Sequence, residues 1–315
     1  MMFKTSIALA AIAAASQVAD AHFTFFRIAH NGQWEAPFRY MRNKTSPYEE
    51  RFSLPGHGFT TRDYNYATVY PDYPESVRCG RDNIKHALDT EVLDVQAGDA
   101  LEFAHTRDEP SEWTDATFNC SSGYGACYEG QVGMDYNHWG PLIVHLSKVP
   151  EGQDIHTYDG SGEWIKIYTL GLVWRPDGAS PVDWVLYNGG RIPGSRYSFR
   201  IPRQTPGGQY LIRVAFVDTG LKGSPYLTQY AHLYPSCFQL SVQNDGTAGA
   251  LPKGVKIPEV MSPDSPGMQM SQGMHDSRKV DEGYVYPGGD LWDGEKLVVD
   301  KPDLTPVPCE VESGC

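Results

Sequence analysis

Beyond its N-terminal leader the chain has no apolar run near the ~20 residues that a membrane-spanning helix needs, so a chain anchored by a spanning helix is excluded as a reading. Positive charge is scarce as well. With 26 Lys and Arg against 39 Asp and Glu, the net charge of −13 argues against nucleic acid and against an anionic membrane surface as partners. The sequence contains no G-x-S-x-G elbow, no H-E-x-x-H pair and no phosphate-cradling glycine loop, which removes the best-marked hydrolase, metalloprotease and nucleotide-binding classes. It also lacks a long amphipathic helix and any repeat of fixed period. Cysteine is limited to six residues, an even number that fits three disulfides in a secreted chain.

What is present begins with the first 21 residues. One Lys, an apolar core from Ile7 to Ala15 and the small-x-small triplet Ala19-Asp20-Ala21 read as a secretory signal, which predicts an extracellular protein. A cut after Ala21 makes His22 the first residue of the mature chain. A terminal histidine offers a metal two nitrogens, its α-amine and its ring. The amine has an ordinary pKa of roughly 8, so a metal displaces its proton at small cost near neutral pH.

The hydrophobic period is two rather than 3.6. PLIVHLSKV puts Leu142, Val144 and Leu146 on one face, RYSFRI aligns Tyr197, Phe199 and Ile201, and QYLIRVAFV aligns Tyr210, Ile212, Val214 and Phe216. CFQLSV repeats the pattern with Phe238, Leu240 and Val242, and HFTFFRIAHNG reads as an opening strand that ends at a turn around Asn31-Gly32. Short strands between Gly and Pro turns predict an all-β, antiparallel sandwich or barrel. From about Asp245 strand-like runs stop and Pro, Gly, Met and Asp dominate, a composition that by itself reads as a loose tail. The expected division is a signal peptide at 1–21, one β domain with its tail at 22–293 and a C-terminal extension at 294–315.

Further candidates for a metal are His138, just before Gly140-Pro141 and the clearest strand, and Tyr234, three residues before Cys237. Taken singly, His138 reads sooner as a polar loop histidine and Tyr234 sooner as one of 19 ordinary tyrosines. His145 falls on the face opposite Leu142, Val144 and Leu146 and reads as structural. Cys120 and Cys127 in CSSGYGAC fit a disulfide loop better than a zinc site, and Cys309 with Cys315 is close enough in sequence for a small local loop. Asn43 and Asn119 each open an N-x-S/T glycan acceptor. The many carboxylates leave a two-carboxylate glycoside hydrolase open.

The order and context of these pieces resemble the fungal lytic polysaccharide monooxygenases of auxiliary activity family 9, formerly glycoside hydrolase family 61. The matching segments are His22 in HFTFF, NHWGPLIVHLSKV, WIKIY, TPGGQYLIR, YAHLYPSCFQLSV, and GVKIPEVMSPDSPGM with GYVYPGGDLW in the tail, together covering His22 to about Trp292. The resemblance implies an immunoglobulin/fibronectin-like β-sandwich with long loops, on which the C-terminal tail packs. It implies one copper ion held by the amine and ring of His22, the ring of His138 and, axially, Tyr234. It also implies a Cys79–Cys237 disulfide. The implied activity is oxidative cleavage of a β-1,4-linked plant cell-wall polysaccharide, cellulose or a related glucan. Hydrogen is removed at C1 or C4, using an external electron donor and dioxygen or hydrogen peroxide, by a monomer.

The sequence departs from the family near the oxygen-facing side of that site. The histidine that the family places downstream of the YLIR-type strand falls near Gly220 in VDTGLKG, and His232 stands where the family has a glutamine two residues before the axial tyrosine. His232 is the candidate to supply the missing function. Two other functions stay open: a secreted copper-binding protein without polysaccharide cleavage, and a noncatalytic carbohydrate-binding protein stacking sugars on Trp139, Tyr136, Tyr284 or Tyr286.

Overall fold

The computed structural model describes residues 22–45, 64–65, 67–70, 73–106, 113–120, 125–128, 131–132, 138–186, 198–225 and 229–308. The signal segment, Tyr136, Tyr197, Cys309 and Cys315 lie outside them, as does the side chain of Cys127.

The opening stretch forms β1 (Thr24–His30), which turns through Asn31 (φ 48°) and Gly32 (φ 83°) into β2 (Gln33–Trp34). A two-residue hairpin loop of type I′ needs positive φ at both positions, which Asn-Gly supplies at little cost. After β3 (Thr68–Val69) and the short helix α1 (Pro74–Cys79) come β4 (Leu93–Gln96) and β5 (Ala100–Thr106). One sheet joins β1, β2 and β5 to β12 (Ser198–Arg200), all antiparallel.

The larger sheet is built from the segments with the strongest period-two pattern: β8 (Leu142–Lys148), β9 (Ile165–Leu170), β13 (Gly208–Asp218) and β15 (His232–Gln243). Its order is β18-β17-β9-β8-β13-β15-β3, with β4 beside β15 in parallel. The tail supplies β17 (Leu291–Trp292) and β18 (Leu297–Val298). Small pairs complete the set: β6 (Cys127–Tyr128) with β7 (Gln131–Val132), β10 (Leu172–Trp174) with β11 (Val182–Trp184), and β14 (Gly220–Leu221) with β16 (Gln269–Met270). The helices α2 (Asp115–Phe118) and α3 (Gln272–His275) are single turns.

The two sheets close on one core, Phe25, Ile28, Leu101 and Phe103 from one side and Leu142, Val144, Leu146, Ile212, Val214 and Leu240 from the other. Each such side chain contributes about 1.5–3 kcal/mol by leaving water. The alternation expected from sequence is real, but the outer face of the large sheet is buried too. Ile143, Leu211, Val217 and Leu233 pack there against Trp164, Ile257, Met261 and Met268.

The tail is therefore ordered, against what its composition alone implies: its Met and Ile side chains roof the sheet. His145 lies in this second layer, fully buried, its Nε2–H donating to the Gly288 carbonyl at 2.9 Å. Lys166 on β9 pairs with Asp300 at 2.7 Å and donates to the Pro287 carbonyl at 3.0 Å, tying down the last part of the tail. Tyr284 and Tyr286 are buried beside Trp184, Met270 and Met274, so neither is a sugar-stacking platform.

Candidate functional site

The N-terminal end of β1 is pulled onto β15 by a local irregularity. Between Phe25 and Arg27 the register with β5 slips by one residue, so that Phe26 is extra and the alternation of side chains is broken. Both Phe25 and Phe26 are consequently buried, and Phe26 packs against Phe38, Trp113 and Phe118. The Ser236 hydroxyl donates to the Phe25 carbonyl at 2.9 Å, linking the two sheets at this point. Phe23 then lies face to face with Tyr234, and His22, one residue earlier, reaches the end of the large sheet.

Tyr234 is set by its strand. It pairs with Phe216 across β13, and Cys237 three residues on is bonded to Cys79 in α1. The proline between them, Pro235, has no N–H to offer, which is tolerated because, among the described residues, β15 has a strand on only one side there.

His138 is placed by the turn that enters β8. A Cβ on Gly140 would meet the Val217 carbonyl oxygen at 1.8 Å, so only glycine lets the backbones approach this closely. Thr219 N–H donates to the Trp139 carbonyl and Val217 N–H to that of Pro141, which locks the turn onto β13.

These elements bring His22, His138 and Tyr234 together. The ring centroids of His22 lie 6.4 Å from His138 and 6.2 Å from Tyr234, and His138 Nε2 is 2.9 Å from the Tyr234 hydroxyl. His232 joins them from β15, at the position paired with Asp218. Asp218, which sequence reasoning passed over, has one carboxylate oxygen 3.4 Å from Nδ1 of His138 and 3.9 Å from Nδ1 of His232. Burial pushes the Asp218 carboxyl up to about 7, opposed by the Trp139 N–H that it accepts. Burial, with the nearby His22 adding to it, pushes His232 down to about 4.

The place of the family's missing histidine is closed. A Cβ on Gly220 would stand 2.5 Å from the Gln229 carbonyl oxygen, and Gly220 N–H is already given to Met268 of the tail. Trp139 is half-buried and its ring lies tilted by 38° against His275 of α3, with centroids 4.1 Å apart.

Among the described residues no group of three or more His, Cys, Asp or Glu side chains is spaced to hold a metal. The two histidines and the phenol form a donor set that a third nitrogen, the α-amine of a chain cut before His22, would complete. Cys120 is disulfide-bonded. Of the two glycan acceptors, Asn119 is exposed at the end of α2, whereas Asn43 is half-buried with its amide oxygen accepting from the Tyr64 hydroxyl and the Lys44 N–H.

The family model of Auxiliary Activity family 9 (formerly GH61) matches residues 13–280. The AA9 family lytic polysaccharide monooxygenase D of Aspergillus tamarii is 28% identical over 288 residues, 91% of this chain and 86% of its own length. The protein of the same name from Emericella nidulans is 28% identical over 290 residues, 91% and 83% of the two chains. Among solved structures, the crystal structure of HiLPMO9B matches with a TM-score of 0.56 at 19% identity, over 87% of this chain and 100% of that one. The extended catalytic domain of H. jecorina LPMO9A matches with a TM-score of 0.56 at 19% identity, over 91% and 98%. At such identities the likeness speaks for the shared β-sandwich.

Proposed function

The chain belongs to Auxiliary Activity family 9, and from that premise we propose that its copper-dependent oxidative cleavage of polysaccharide is carried by His22, His138 and Tyr234 at the end of the large sheet. The reading of a copper-binding protein without polysaccharide cleavage finds no support among the relatives.

The observation that carries the assignment is the convergence of two imidazoles and a phenol from three separate segments, with His138 Nε2 2.9 Å from the Tyr234 hydroxyl. The donors fit copper: imidazole and amine nitrogens suit it, and one ion per chain would be held by the α-amine and ring of His22, the ring of His138 and the phenol oxygen of Tyr234. When bound, copper supplies one-electron redox chemistry toward dioxygen or hydrogen peroxide, with an external donor providing the electron.

The protein's own part is placement. The Gly140 turn fixes His138, and the Phe23 stack and the Cys79–Cys237 bond fix Tyr234. Burial keeps His232 a neutral hydrogen-bonding group beside the site. The proposed substrate is a β-1,4-linked glucan of the plant cell wall, attacked at C1 or C4 by a monomer. A site made at the end of a sheet suits an extended polymer. The same reading requires secretion and removal of residues 1–21, because the third nitrogen exists only on a chain that starts at His22.

The test is mass spectrometry of soluble products from cellulose, xyloglucan and xylan. The protein is cut at His22, copper-loaded and given a reductant, with His138→Ala run beside it. Oxidised oligosaccharides that disappear in the variant are expected. Products that persist in His138→Ala would remove these residues from the role.

A further inference from the structure

We propose that Asp218 is a positioning residue of this site, a carboxylate that fixes the ring of His138 and the turn carrying it. The inference rests on the reading that His138 is a metal ligand and adds a residue to it.

Three observations at one side chain carry it. Asp218 is the last residue of β13, directly opposite His232 in the register of the hairpin, so the backbone holds its carboxyl at the end of the sheet. Its Oδ2 faces Nδ1 of His138 at 3.4 Å, while the other ring nitrogen, Nε2, faces the Tyr234 hydroxyl at 2.9 Å. The carboxyl also accepts the backbone N–H of Trp139, the residue next to His138. One side chain therefore grips both the ring and the peptide that follows it.

With the Asp218 carboxyl ionised, the hydrogen-bonding roles of the three groups allow one consistent arrangement. An ionised carboxylate only accepts, so Nδ1 of His138 carries the proton. Nε2 is then the unprotonated nitrogen, accepts from the phenol, and presents its lone pair on the side where His22 and Tyr234 meet. A carboxylate behind a metal-binding imidazole fixes its tautomer and orientation and strengthens it as a donor. Nδ1 of His232 stands 3.9 Å from the same oxygen, so Asp218 lies between the ligand ring and the histidine standing in the glutamine's place. The side of the site where Gly220 leaves no room for a histidine is held instead from the Asp218 side.

The test reads the tautomer without any metal. In metal-free protein labelled with 15N-histidine at pH 8, the His138 ring, identified by its disappearance in His138→Ala, is expected as the Nδ1–H form. Asp218→Ala is expected to turn it to the Nε2–H form or a mixture. Finding wild-type His138 as Nε2–H would overturn the proposal, as would an unchanged tautomer in Asp218→Ala.

Copper titration with electron paramagnetic resonance is the second readout. Asp218→Asn keeps the size of the side chain and, with thermal unfolding showing it folded, is expected to weaken Cu(II) binding by about 10–100-fold with altered copper hyperfine coupling. An Asn variant identical to wild type in affinity and spectrum counts against the proposal. A wild type that takes up no stoichiometric copper sinks the metal-site reading itself, while the tautomer measurement still decides whether Asp218 orients His138. Should Asp218→Ala fail to fold, the wild-type tautomer and the Asn variant decide the question.

Discussion

Phe23 lies flat against Tyr234, their ring centroids 4.4 Å apart and their planes 14° from parallel. The same phenyl ring meets Phe25, His105 and Phe216 edge-on. The residue after His22 is thus packed on the side chain proposed as the oxygen donor, and the two cannot shift independently. Phe23→Ala is expected to destabilise the fold by about 3–5 kcal/mol. Phe23→Leu, which keeps most of the volume, is expected to cost less than half of that while still weakening copper binding. Urea unfolding and copper calorimetry on the two variants measure this. Full copper affinity in Phe23→Leu would show that the stack serves stability alone.

Restoring a histidine at position 220 is expected to fail. The Cβ would stand 2.5 Å from the Gln229 carbonyl oxygen, a backbone atom that cannot rotate aside. Gly220→His should cost at least the roughly 1–3 kcal/mol of an overpacked site, and Gly220→Ala nearly as much, since the clash begins at Cβ. Thermal unfolding of both variants decides it. A stable histidine variant would mean that the loop before Ala231 yields easily.

Lys166 and Asp300 form a pair at 2.7 Å in which neither partner reaches solvent appreciably. Removing one charge strands the other. Lys166→Met is therefore expected to destabilise by about 3–5 kcal/mol, and to do so locally, by freeing the end of the tail before the sandwich unfolds. Hydrogen exchange should show protection lost first at 286–300. Uniform loss across both sheets would instead make the tail and sandwich one cooperative unit.

His145 gives the stability a pH dependence of defined sign. Burial holds its pKa well below the ordinary 6.5, with the positive Arg213 adding to the effect. The unfolded chain takes up a proton that the folded one refuses. Stability from this group is therefore complete above about pH 6.5 and falls as the pH drops below it, by up to about 1.4 kcal/mol per unit. His145→Gln keeps an N–H for the Gly288 carbonyl and does not titrate. Between pH 7 and pH 5 its melting temperature should fall less than that of the wild type, and equal slopes would assign the pH dependence to other groups.

How far the sequence alone reaches can be judged residue by residue. The strands β8, β13 and β15 are legible because Val, Ile, Tyr and Phe alternate through them. The burial of Ile143 and Leu211 on their outer face is not legible in composition, because what covers them is a tail that reads as a loop; only the family resemblance implies that it packs. Tyr284 and Tyr286 are equally fit, by sequence, for sugar stacking or for core, and only the positions of Trp184 and Met274 decide.

At the site, His22, His138, Tyr234 and His232 can be singled out from their contexts. Asp218 cannot, because its meeting with His232 depends on the register of a hairpin whose connection runs from Thr219 to Ala231. The slip at Phe26 is equally hidden, since HFTFF scans as an ordinary strand.

The strand ends of both sheets have one further consequence, for how copies of the protein tolerate one another. The outermost strands, β2 and β12 in one sheet and β3, β4 and β18 in the other, are two to four residues long among the described residues. An open edge is a template on which a neighbouring chain can add a strand, and edges this short offer almost no ladder to copy. Beside the six-residue β9 the tail lays down β17 and β18 as a cover. Loosening the tail would uncover a longer, flatter border, so its cost would appear as aggregation at high concentration as much as in a lower melting temperature.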